Sequence, residues 1–75
     1  MDLKELFAGI LNEPIESINE NTGPTTTLNW TSLVHLQLVT SMEDLYGVKF
    51  SNTEIKEMKS FGICQKMLES KGVMV

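Results

Sequence analysis

The chain has 75 residues, a formal net charge of -4 and a single cysteine. This length supports one domain, residues 1–75, and a domain of this size buries only about 60% of the surface its unfolded chain exposes, too little core for a deep catalytic cleft. An acidic balance without clustered Lys and Arg argues against nucleic acid as a partner and for partners with basic patches; one thiol, Cys64, excludes an internal disulfide and any Cys/His metal spacing.

Asp2 and Glu5 pair as a capping box ahead of an apolar stripe of Leu3, Leu6, Phe7, Ile10 and Leu11. This predicts a first helix that ends near Asn12, because Pro14 disfavours helix at Glu13. From Glu13 to Thr31 the chain reads as a long connection, with Pro14, Gly23, Pro24 and the run Thr25, Thr26, Thr27; connections of this length tend to be functional. Ile15, Ile18 and Leu28 are expected to pin it onto the helices.

Ser32–Tyr46 predicts the best helix of the chain, closed by Gly47 as its C-cap. Val48 and Phe50 flank Lys49 in a short extended piece, and Ser51 with Glu54 offers a second capping box before a short helix carrying Ile55 and Met58. Ser60 caps a last helix with Phe61, Ile63, Cys64, Met67 and Leu68 inward, which Gly72 ends. No apolar run approaches the length needed to span a bilayer, and the opening segment MDLKELFAGILNE lacks a small-residue cleavage site. The expectation is a cytoplasmic, monomeric protein with no membrane partner. The fold class is all-α: an antiparallel bundle of three main helices plus one short helix, with a long loop between the first two.

Advancing about 100° per residue from Leu33 gathers Val34, His35, Leu38, Val39, Met42, Leu45 and Tyr46 on one broad side, the core face. Gln37, Thr40, Glu43 and Asp44 gather opposite. Leu33 and Leu36 break the pattern by falling with the polar group, one turn apart and bordered by acids. Either they form a small docking surface with an apolar centre and an acidic rim, or the long loop folds over them. Ser32 opens the helix. Serine at such a place ordinarily caps backbone N–H groups, but Thr31 or Asn29 can cap equally well, which leaves Ser32 free. A helix N-terminus also favours a negatively charged phosphate ester.

Thr31-Ser32-Leu33 followed by VHLQLVTSMEDLYGVKF resembles the acyl carrier protein family, in which an Asp-Ser-Leu triplet opens the second helix and that helix ends in acids, an aromatic residue and glycine. The match is ungapped from Leu28 to Phe50, and the flanking pattern of helices and loop agrees, so the resemblance covers essentially the whole chain. It implies a non-enzymatic carrier with phosphopantetheine attached to Ser32 by a phosphopantetheinyl transferase. Cargo is then held as a thioester and presented to acyl-loading and acyl-transferring enzymes of a fatty-acid, polyketide or similar pathway. It implies that Leu38, Val39, Met42 and Tyr46, with Ile55 and Met58 from the short helix, line an acyl cavity. It also implies that Glu43 and Asp44, beside Leu33, Leu36, Gln37 and Thr40, meet basic partners.

The chain departs from the family at three places. Thr31 stands for the usual Asp, Gln37 for a common Glu, and Val34 for another common acid, which thins the acidic face and suggests a specialised carrier. The alternative is a helical interaction module that kept the fold and lost modification. Trp30 is either exposed before the helix or covers the core edge. His35, the sole histidine, is either part-buried and hydrogen-bonded or sits at the mouth of the acyl cavity; no Ser/His/Asp arrangement accompanies it. Cys64 reads as a small core residue, and Met42, Met58 and Met67 as adaptable core.

Overall fold

The computed structural model describes residues 2–75. Among them the regular structure is entirely helical: α1 (Leu3–Leu11), α2 (Ser32–Tyr46), α3 (Asn52–Glu57) and α4 (Phe61–Ser70), with one turn of 3-10 helix at Ile15–Ser17. Three longer helices and one short one are therefore present, as the periodicity predicts.

Each helix starts where side-chain chemistry allows it. Asp2 and Glu5 form a reciprocal capping box on α1, as Ser51 and Glu54 do on α3; Thr31 caps α2 and Ser60 caps α4. Such caps satisfy N–H groups that the helix itself leaves without partners. The α1 and α2 ends use left-handed residues, Asn12 at φ 56° and Gly47 at φ 66°.

One core gathers Leu3, Phe7 and Leu11 of α1, Leu38, Val39 and Met42 of α2, Met58 just after α3, and Phe61, Cys64 and Leu68 of α4, joined by Ile18, Trp30 and Phe50. Phe7 stands at its centre, edge-on to Trp30 (5.6 Å between centroids) and to Phe61 (5.0 Å). Lys71 ties the end of α4 to α3 through an ion pair with Glu54 (3.0 Å) while lying over the Phe50 ring.

The connection from α1 to α2 is anchored differently from the expectation. Ile18 is buried, but Ile15 is largely exposed and Leu28 is 97% exposed, so Leu28 pins nothing. The anchoring is polar. Thr22 O accepts from Phe61 N (2.7 Å) and Glu20 O from Gly62 N (3.1 Å), two N–H groups in the first turn of α4. The Asn29 side-chain amide donates to Leu11 O at the end of α1 (2.7 Å). The buried Thr22 hydroxyl accepts from Asn19 N and donates to Ser17 O. Helix ends carry unpaired backbone groups, and this loop supplies their complements. Gly23 packs so tightly on the Lys59 carbonyl that no side chain fits there.

Two further expectations are corrected. Leu45, placed on the core face by the helical wheel, is 42% exposed, and Ile63, expected inward, is 37% exposed. Both angles are right for a helix, but no neighbouring element covers those flanks.

Candidate functional site

The entrance of α2 brings the sequence-predicted residues together. Thr31, extended at φ -85° and ψ 174°, accepts from Val34 N through its hydroxyl (3.3 Å), and its carbonyl accepts from His35 N (2.8 Å). Thr31 therefore caps the helix without carrying a charge. Ser32 is the first helical residue, exposed, with its hydroxyl not needed for the cap. The N–H groups of Ser32 and Leu33 precede the first bond of the helical ladder, and the first turn contains no acid. Ser32 is thus an exposed hydroxyl residue at the positive end of the helix dipole, where a phosphate ester is favoured.

Leu33 (77% exposed) and Leu36 (55% exposed) flank Ser32. With Gln37, Thr40 and Ser41 they line a shallow, mainly apolar depression of about 450 Å³. The loop does not cover them, so the expectation that it folds over these two leucines is not met. Asp44 is exposed along the same helix. Glu43 behaves differently: its carboxylate turns to the start of the α3 segment and accepts from Phe50 N (2.9 Å), tying α2 to the loop that follows it.

A second cleft, of about 350 Å³ and mainly apolar, lies on the other side of Ser32 and is lined by Pro24, Trp30, Thr31, Ser32, His35 and Leu36. Its floor is fixed by a hydrogen-bond chain. Trp30 Nε1–H donates to His35 Nδ1 (2.9 Å), and His35 Nε2 is 2.8 Å from the Ile55 carbonyl. An indole nitrogen can only donate, so Nδ1 is the acceptor and Nε2 carries the proton given to Ile55 O. Trp30 itself is buried, so it covers the core edge, and His35 is part-buried and bonded on both nitrogens. The residue chemistry of this chain was legible in sequence, but not that Trp30, His35 and Ile55 are linked; that link joins the loop, α2 and α3.

The remaining predicted cavity residues are packed. Leu38, Val39, Met42 and Met58 are each 4% exposed or less, and Tyr46 and Ile55 rest half-buried against them. Burial, with the Asp2 charge as a smaller cause, raises the Tyr46 phenol above its ordinary value. Cys64 is buried in the core, and burial pushes its thiol up to about 12, which removes it as a nucleophile. The Glu54 carboxyl is held below its usual range by the Ser51 N–H first and by Lys71 second. Among the described residues no cluster of three His, Cys, Asp or Glu side chains is placed to hold a metal, and no helix is long and apolar enough to cross a membrane.

No family model matches the chain, and a search of curated proteins returned no match.

Proposed function

We propose that this chain is a carrier protein, with phosphopantetheine attached to Ser32 and cargo presented to enzymes that dock on Leu33 and Leu36. One observation carries the reading. The Ser32 hydroxyl is exposed at the start of a 15-residue helix whose cap bond is made by the neighbouring Thr31, beside N–H groups that lie ahead of the helical ladder. A capping serine would have its oxygen occupied; this one is presented.

In this reading a phosphopantetheinyl transferase joins the Ser32 oxygen to phosphorus, the hydroxyl proton passes to a base of the transferase, and the adenosine bisphosphate half of coenzyme A leaves. The arm, once attached, supplies a terminal thiol that holds acyl cargo as a thioester. The chain's own residues bind and orient. The Ser32 and Leu33 N–H groups would lie beside the phosphate, and Thr31 fixes the helix start by capping Val34 N. Leu33 and Leu36 give partner enzymes an apolar patch of limited size, with Asp44 nearby to orient a basic surface. The helices form an antiparallel bundle around the core in this reading, and the site is in the cytoplasm, where coenzyme A is met.

A second reading, a non-modified helical interaction module, is favoured by Thr31 in place of an acid and by a first helical turn without any. Intact-mass measurement after incubation with coenzyme A and a broad-specificity transferase separates the two. A carrier gains one phosphopantetheine, and Ser32→Ala gains none. No mass gain with several transferases supports the interaction module.

A further inference from the structure

We propose that His35 bars a group tethered at Ser32 from the space between α2 and α3 and turns its first apolar segment into the cleft over Trp30. In phosphopantetheine that segment is the methylene of the phosphate ester and the dimethyl-bearing carbon that follows it. The inference rests on the reading of Ser32 as an attachment residue and adds to it where the arm lies.

Two sets of observations carry it. His35 stands one turn beyond Ser32 on α2, between Ser32 and Leu38 along the helix. Its Nε2–H reaches across to the carbonyl of Ile55 in α3 (2.8 Å), and its Nδ1 is held by Trp30 (2.9 Å). A ring bonded on both nitrogens has no freedom to swing aside without breaking both bonds. The Ile55 carbonyl in the last turn of α3 also accepts a longer bond from Met58 N at the helix end (3.4 Å), so the imidazole is its second and shorter partner. Beyond this bridge Leu38, Met42 and Met58 are each 1% exposed or less, and entry requires displacing them. The cleft on the near side is open instead. Ser32 itself forms part of its lining, and its walls are the apolar surfaces of Pro24 and Leu36 with an edge of Trp30. A segment attached to the Ser32 oxygen meets this cleft first, and no hydrogen bond has to break for it to lie there.

The test attaches a hexyl chain at the same place without any transferase, as a mixed disulfide on Ser32→Cys made with hexyl methanethiosulfonate; the buried Cys64 stays unlabelled, which intact mass verifies. Nuclear Overhauser contacts then locate the chain. With His35 in place, contacts are expected to Trp30, Pro24 and Leu36, and the Met58 and Met42 methyl resonances stay at the positions of the unlabelled protein. With His35→Ala, contacts to Leu38 and Met58 are expected with shifted Met58 resonances; His35→Leu is the second variant should alanine not fold. Contacts to Leu38 or Met58 with His35 in place, or no contact with Trp30, overturn the inference. So does an unchanged chain position in both His35 variants. Because the probe needs no phosphopantetheine transfer, a failure of that transfer refutes the attachment reading alone.

Discussion

The same substitution, glycine to alanine, is expected to destabilise at Gly23 and Gly47 and to stabilise at Gly9, and the comparison tests how the long connection is held. A Cβ at Gly23 overlaps the Lys59 carbonyl oxygen, and the next atoms it meets, Lys59 C at 3.3 Å and Ser60 Cα at 3.5 Å, are also backbone, so no side chain can swing away. The loop has to retreat from the α3–α4 junction. Retreat weakens the bonds from Phe61 N to Thr22 O (2.7 Å) and from Gly62 N to Glu20 O (3.1 Å). At about 1 kcal/mol net for each, Gly23→Ala costs about 2 kcal/mol, and about 3 kcal/mol if one N–H is left buried without a partner. That is a large share of the roughly 4–11 kcal/mol expected for a chain of this length. Gly9 lies inside α1, exposed, with nothing within 4 Å of an added Cβ. Gly9→Ala therefore stabilises by about 0.5–1 kcal/mol. Gly47 has open space but φ 66°, so Gly47→Ala costs about 1 kcal/mol. Urea unfolding followed by Trp30 fluorescence and far-UV circular dichroism measures all three. A Gly23→Ala protein as stable as the parent, or a Gly9→Ala protein destabilised like it, refutes the account of the loop.

Other expectations follow from the site and core. Leu33→Ser and Leu36→Ser leave the unfolding free energy within about 0.5 kcal/mol, because both side chains are exposed, yet slow phosphopantetheine transfer; unchanged transfer rates remove their docking role. His35→Phe leaves the Trp30 N–H and the Ile55 carbonyl without each other's bridge and costs about 1–3 kcal/mol in urea unfolding, with a change in Trp30 emission; no loss contradicts the bonded chain. Cys64 has a folded value raised from 9.0 to about 12, so its contribution is full below pH 9.0 and is lost as pH rises toward about 12. Tyr46, also raised, adds to the alkaline loss in the same direction. Stability measured against pH should fall across that window and fall less in Cys64→Ala, and iodoacetamide should label Cys64 only on unfolding; rapid native labelling contradicts its burial.

Helix starts, and the end of α2, were legible because they depend on local chemistry. Asp2 with Glu5, Ser51 with Glu54, Ser60 and Gly47 do in the structure what their types and spacings announce. The presentation of Ser32 followed from the same logic, since a second capping residue stood one position earlier. What a helical wheel lacks is the identity of the covering neighbour, and Leu45 and Ile63 were misplaced for that reason. Leu28 was misplaced because the loop is held by backbone carbonyls of Glu20 and Thr22, and hydrogen bonds between distant backbone groups have no residue signature. The nearest signal was the pair Gly23 and Gly62, where a Cβ would strike Lys59 and Glu20 respectively. Glu43 looked like a surface acid by spacing, but its partner, the Phe50 N–H, comes from the turn after Gly47.

Fragmentation mass spectrometry on protein treated with coenzyme A and a transferase reads the central claim at the level of one oxygen. A single phosphopantetheine on the peptide bearing Ser32, and on no other exposed hydroxyl such as Ser17, Thr25 or Ser70, is the result predicted. An unmodified Ser32 peptide, or the group found on another side chain, contradicts it.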